Sequence, residues 1–134
     1  MTSQELTRRS REPEPLLILI VDDEEPIAEM LEAFVGDLGY TPLVARNGQQ
    51  ALILARERWP ALVITDLMMP ILNGADLITA LRAEAAASGR ASPPIVLLTA
   101  GNARAVSHLP VEAVLFKPFD LGTLEHVIHR LLGT

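Results

Sequence analysis

The chain has 134 residues, no cysteine and a formal net charge of -6, with a sequence pI ≈ 5.0. That length fits one domain, the missing cysteine excludes disulfides, thiolate metal sites and thiol catalysis, and the acidity argues against direct nucleic-acid binding and for a phosphoryl group or divalent cation as partner. Hydrophobic residues make up 49% of the chain but aromatics only 4%, so the core has to be Leu, Ile, Val and Ala packed closely between helices and a sheet.

Residues 1–15 alternate Arg and Glu and carry Pro13 and Pro15. They read as a flexible tail, with Arg8, Arg9 and Arg11 balanced by Glu5, Glu12 and Glu14, ahead of a domain over 16–134. The same stretch, MTSQELTRRSREPEP, has no apolar h-region, and no apolar run approaches 18 residues. Neither a signal peptide nor a membrane span is expected, and the expected location is the cytoplasm.

Leu16 to Val21 (LLILIV) is a short apolar run of the kind that a strand buried on both faces needs, and it stops on Asp22 and Asp23. Pro26 suits a helix start, where its missing N–H costs nothing. Ile27, Met30, Leu31, Phe34 and Leu38 then recur at helical spacing until Gly39 ends the helix. Thr41 to Ala45 is a second strand, and Pro42, which cannot donate to a ladder, confines it to a sheet edge. Asn47 is placed to cap a second helix, with Ala51, Leu54 and Ala55 facing inward and Pro60 stopping it.

The stretch ALVITDLMMP, Ala61 to Pro70, opens as a third buried strand and breaks off on Asp66. Asn73 can cap a third helix from Gly74, with Leu77, Ile78, Leu81 and Ala85 on one face and Gly89 closing it. A fourth strand, Ile95 to Leu98, ends in Thr99. Only Ala100 to about Glu112 separates it from the next strand, which is near the minimum for a parallel crossover. A short or irregular fourth helix is therefore expected, limited further by Pro110. Ala113 to Phe116 is the fifth strand and runs into Lys117. Asp120 can cap a last helix whose stripe is Leu121, Leu124, Val127, Ile128 and Leu131. His126 and His129 have the spacing of helical metal ligands but lack a third partner, so they are expected on an exposed face, with His108 in a loop.

Five alternations of strand and helix predict an α/β fold, a doubly wound five-stranded parallel sheet with helices on both faces. The flavodoxin-like order 2-1-3-4-5 puts the Pro42 strand at an edge and strands one and three side by side at the switch point. In such sheets chemistry sits beyond the carboxyl ends of the strands. Asp22, Asp23, Asp66, Thr99 and Lys117 all stand there. Singly, each has an ordinary explanation as a turn, cap, strand end or surface lysine; together they predict a site.

The signatures VDDEEP (Val21–Pro26), TDLMMPILNG (Thr65–Gly74), LLTAG (Leu97–Gly101) and FKPF (Phe116–Phe119), in order and at strand ends, give the clue. From residue 16 to about 132 the chain resembles the receiver domain of two-component response regulators. Three carboxylates close together repel, about 4 kcal/mol for a pair at 4 Å and an effective dielectric of 20, so a cation is needed, and Mg²⁺ suits hard oxygen ligands. Asp23 and Asp66 would bind it directly and Asp22 directly or through water. The resemblance adds the backbone carbonyl of Met68 as a ligand.

Asp66 is then the expected carboxylate nucleophile toward a phosphoryl group, with Lys117 neutralising charge on the transferring oxygens and Thr99 hydrogen-bonding one of them. No enzymatic activity is expected beyond the chain's own phosphorylation and dephosphorylation. The resemblance implies a bacterial phosphorelay protein that takes its phosphoryl group from a sensor histidine kinase or a histidine phosphotransfer protein. It would act, as a monomer or weak homodimer, through phosphorylation-dependent contacts with an output protein, either as a stand-alone receiver or as part of a longer regulator.

One departure stands out: a ring expected three residues before the lysine is here Val114. Val114 keeps open a rival reading, a receiver-like interaction module that is not phosphorylated. A dehalogenase-like phosphohydrolase would carry a second Asp at position 68, where Met68 stands. A flavodoxin-type mononucleotide binder would need a Gly-rich phosphate loop after the first strand.

Overall fold

The computed structural model describes residues 14–134. The tail expected over 1–15 lies, up to residue 13, outside the described residues. The elements follow in the order β1 (Leu17–Val21), α1 (Glu25–Asp37), β2 (Thr41–Ala45), α2 (Gly48–Glu57), β3 (Leu62–Asp66), α3 (Gly74–Ser88), β4 (Ile95–Thr99), α4 (Ala103–Val106), β5 (Ala113–Phe116) and α5 (Leu121–Leu132). All strand pairs are parallel and the order is β2-β1-β3-β4-β5. The flavodoxin-like topology is therefore as predicted, with the Pro42 strand at one edge.

Alternate residues of each strand point to opposite faces, and two apolar cores result. Ile18, Ile20, Leu62, Ile64, Val96, Leu98 and Leu115 meet Leu31 and Val35 of α1 and Leu124, Val127 and Ile128 of α5. On the other face Leu19, Val21, Val63, Ile95 and Leu97 meet Ala51 and Ala55 of α2, Leu77, Ile78 and Leu81 of α3, and Val106 of α4. Burial on both sides is why β1, β3 and β4 are continuous apolar runs. No helix among the described residues is long and apolar enough to cross a membrane.

Caps fall where the sequence places them. The side chains of Asn47 and Asn73 accept from Gln50 N and Asp76 N, and Asp120 accepts from Gly122 N. Gly89 closes α3 at φ 71°, and Gly39, at φ 96°, turns the chain after α1.

The differences are local. β1 begins at Leu17, one residue later than expected, because Leu16 contributes only its carbonyl, to Thr41 N. The buried stripe of α1 is Ala28, Leu31 and Val35, whereas Ile27, Phe34 and Leu38 flank it and Met30 is exposed. The small Ala28 lets the helix approach the sheet, and the larger side chains fill the margins. Leu54, Leu121 and Leu131 are likewise half-buried margins of the cores.

His126 is exposed as expected, but His129 is half-buried. Its ring stands edge-on to Tyr40 at 6.4 Å, and its Nδ1 is 3.0 Å from the carbonyl of Thr134. Tyr40 lies beside the last turn of α5, which the helix periodicity alone could not reveal.

Candidate functional site

The site lies at the carboxyl ends of β1, β3, β4 and β5. Asp22 follows β1 directly, and its N–H donates to the carbonyl of Ala45, completing the last β1–β2 pair, Val21↔Ala45. Its side chain is fully buried. Oδ1 accepts from Glu24 N at 2.9 Å, while Oδ2 is buried with no hydrogen-bond partner. Asp23 is exposed. Asp66 closes β3, is 5% exposed, and accepts from its neighbour Leu67 N at 2.9 Å. Since β1 pairs with β3 in the register Val21↔Thr65, the acids come together: one carboxylate oxygen from each of Asp22, Asp23 and Asp66 lies within 4.8 Å of the others.

Lys117 enters from beyond β5, its main chain fixed by Lys117 N donating to Thr99 O at 2.8 Å. Its Nζ lies 3.4 Å from Asp66 Oδ1 and 3.8 Å from Asp22 Oδ2. The peptide bond that follows it, to Pro118, is cis. Thr99, the last residue of β4, is buried, and its Oγ1 accepts from Gly101 N at 2.9 Å, leaving the hydroxyl proton free to be donated. Ala100 beside it is exposed. Met68, two residues past Asp66, is 75% exposed.

Burial pushes the carboxyls of Asp22 and Asp66 above the usual carboxylate range. For Asp22 the Glu24 N–H and Lys117 oppose that desolvation, and for Asp66 Lys117 opposes it most. Three carboxylates against one ammonium leave two negative charges in excess. Among the described residues no other lysine or arginine comes within ion-pair distance of these acids.

Three contributors escape a reading of the sequence. Gly74 is pressed against the backbone of Asp66: a Cβ there would stand 2.5 Å from Asp66 O and 2.9 Å from Leu67 Cα. Its N–H donates to Leu67 O at 2.8 Å. Gly48 holds the far side of the same loop, with room for no Cβ beside Leu72 O at 2.5 Å. The third is Arg46, just past β2, whose Nη2 donates to the carbonyl of Asp23 at 3.3 Å. The sequence signals for the glycines are that each immediately follows an Asn cap and that Gly74 closes the signature TDLMMPILNG; for Arg46 there is none.

The chain matches the model of the family described as response regulator receiver domain over residues 18–129. It is 36% identical over 125 residues to response regulator Rre1 of Synechocystis sp., covering 90% of this chain and 53% of that protein. It is 43% identical over 83 residues to the DNA-binding response regulator MtrA of Mycobacterium tuberculosis, covering 62% of this chain and 34% of MtrA. The chain thus spans about half the length, or less, of the curated relatives it matches.

Among solved structures, chemotaxis response regulator CheY4 of Vibrio cholerae is similar with a TM-score of 0.79 at 27% identity, covering 88% of this chain and 99% of that one. The receiver domain of sensor histidine kinase PA1611 from Pseudomonas aeruginosa, described with a magnesium ion coordinated in its active site cleft, is similar with a TM-score of 0.78 at 25% identity, covering 90% and 99%. With the fold, the acidic cleft and the family match in agreement, this chain belongs to the receiver domain family of response regulators and so to two-component signalling.

Proposed function

We propose that this domain accepts a phosphoryl group on Asp66. The observation that carries the reading is the buried Asp66 carboxylate, facing Lys117 at 3.4 Å inside a three-acid cluster whose Asp22 Oδ2 has no hydrogen bond. A buried carboxylate oxygen without a hydrogen bond is costly, and two excess negative charges call for a divalent cation. The donor set, all hard oxygens, fits Mg²⁺. Asp22, Asp23 and Asp66, with the carbonyl of Met68, would hold it, and when bound it supplies positive charge against the phosphoryl oxygens.

The chain's own residues do the rest. An Asp66 oxygen attacks the phosphorus of a phosphorylated nitrogen donor; the new O–P bond forms as the P–N bond breaks, and the nitrogen leaves with a proton. The Lys117 ammonium offsets charge on the transferring oxygens, and the Thr99 hydroxyl, whose proton is not used by Gly101, donates to one of them. Water entering past the small, exposed Ala100 attacks the phosphorus, and as its O–P bond forms the Asp66 O–P bond breaks, releasing inorganic phosphate and returning the carboxylate. No separate substrate is turned over.

The donor on this reading is a sensor histidine kinase or a histidine phosphotransfer protein in the cytoplasm. The output is a change in protein contacts driven by about -1.5 to -2 added charges. The net charge of -6 supports action through proteins rather than by direct contact with nucleic acid.

Intact mass after incubation with phosphoramidate, with and without Mg²⁺, tests this on wild type and Asp66→Asn. A Mg²⁺-dependent gain of one phosphoryl group, abolished in the variant, is expected. Equal labelling of the two proteins would remove Asp66 from the reaction. No gain on wild type would leave an interaction module that is not phosphorylated.

A further inference from the structure

Arg46 follows β2 directly, at the end of the sheet where the acids gather. Its main chain is tied to α2, with Arg46 N donating to Gln50 Oε1 at 2.7 Å. Its side chain crosses to the loop between β1 and α1, where Nη2 donates to Asp23 O at 3.3 Å, and its Nε is buried with no partner. The guanidinium addresses the carbonyl of Asp23, and no Arg46–carboxylate ion pair forms among the described residues.

Asp22 and Asp23 are held very differently. Asp22 is buried and fixed twice, through its N–H to Ala45 O and through Oδ1 to Glu24 N. Asp23 is exposed, and its carboxylate has no hydrogen bond among the described residues. Its place in the cluster therefore depends on its main chain, and Arg46 is the side chain that holds that main chain from outside.

We propose that Arg46 is a positioning residue for the cation site, fixing the Asp23 backbone so that its carboxylate stays beside Asp22 and Asp66. The proposal rests on the reading that these three acids bind a divalent cation. It makes a prediction of sign. Were the guanidinium only a nearby positive charge, it would repel a cation and its removal would tighten binding. As a group that orients a ligand, its removal must weaken binding; losing such an outer partner typically costs 10–100-fold in metal affinity.

The test is calorimetric titration of MgCl₂ into metal-free wild type, Arg46→Met and Arg46→Lys, with Arg56→Met as a control that loses the same charge from a surface pair with Glu84. Arg46→Met is expected to bind Mg²⁺ about tenfold more weakly, the low end of that range because the contact is long. Arg46→Lys, which keeps a donor, should recover most of the loss, and Arg56→Met should match wild type. The denaturation midpoint of metal-free Arg46→Met should stay at the wild-type value.

Unchanged or tighter binding by Arg46→Met overturns the proposal, as does a failure of lysine to recover affinity or a metal-free variant that no longer folds stably. Wild type that takes up no Mg²⁺ would overturn the cation site itself. Wild type that binds, with Arg46→Met its equal, would overturn the positioning role alone.

Discussion

The two ends of the sheet treat their polar groups in opposite ways. At the amino ends of β4 and β5, Arg82 of α3 spends its guanidinium on Ser92, on the carbonyls of Pro93 (2.9 Å) and Pro110 (2.7 Å), and on both oxygens of Glu112 (3.0 and 3.1 Å). Glu112 in turn accepts from Ile95 N at 2.6 Å. Every group there has a partner, and the result is a clamp that ties β5 to the body of the domain where α4, a single turn, offers little packing. At the carboxyl ends, Asp22 Oδ2 has no hydrogen bond, Lys117 is shared between two acids, and Thr99 keeps its proton unused. The chain leaves unsatisfied what a ligand is to satisfy.

The contrast holds for charge but not for backbone. Around Asp66 the main chain is tightly packed, because the next helix starts against it without a Cβ. Adding one through Gly74→Ala forces α3 or the Asp66–Leu67 peptide to move, since the clashing atoms at 2.5 and 2.9 Å are backbone. A loss of about 2–3 kcal/mol in unfolding free energy is expected, measured by urea titration, together with slower labelling by phosphoramidate. A variant as stable and as reactive as wild type would mean the loop is soft.

At the opposite end Arg82→Ala should cost about 2 kcal/mol by the same measurement. It strands two carbonyls and Glu112 but leaves labelling of Asp66 close to normal. The side chains of this pair are 24% and 37% exposed, which is why the loss falls short of that for a fully buried ion pair. If labelling fell as steeply as stability, the two ends would not be separable.

Asp22→Asn should do the reverse and stabilise the metal-free protein at neutral pH, by on the order of 1 kcal/mol, because the desolvated charge is removed while the bond from Glu24 N can be kept. The pH dependence has a definite sign. The folded-state pKa of Asp22 is raised above 3.8, so above it the carboxylate is charged in both states and the full penalty is present. As pH falls through the raised value the folded protein takes up its proton first, and the penalty fades on the way to 3.8. The stability gap between Asp22→Asn and wild type, followed in chelator by denaturation at a series of pH values, should therefore shrink on acidification. A gap that widened would show that Asp22 is held ionised by its surroundings.

The smallest expected effect concerns Ile71, a β-branched residue at φ 72° with its side chain 75% exposed, in the loop that follows Asp66. Left-handed backbone costs an ordinary residue roughly 1–2 kcal/mol and is tolerated better by asparagine. Ile71→Asn loses almost no burial and should raise the unfolding free energy by about 0.5–1 kcal/mol. A thermal melt of the metal-free protein checks it, and a destabilised variant would place the Ile71 side chain in a contact of its own.

Local chemistry made most of this molecule legible in its sequence. Apolar runs that stop on an acid, a hydroxyl or a lysine can be read residue by residue, because strand period, proline's missing donor and asparagine's capping oxygen all act over a few positions. They gave the strand order, the edge position of β2, a fourth helix that is short or irregular, and the convergence of Asp22, Asp23, Asp66, Thr99 and Lys117 at one end of the sheet. What tertiary structure alone decided is what depends on approach between distant segments. The rotation of α1 onto Ala28 and Val35, the half-burial of His129 beside Tyr40, and the absence of room at Gly48 and Gly74 are all such cases. So are the pairings of Arg82 with Glu112 and of Arg46 with Asp23, 30 and 23 residues apart. Periodicity reports which face of a segment is apolar, but the distance at which two segments meet is set by packing, and it is packing that makes one carboxylate partnered and leaves another free to act.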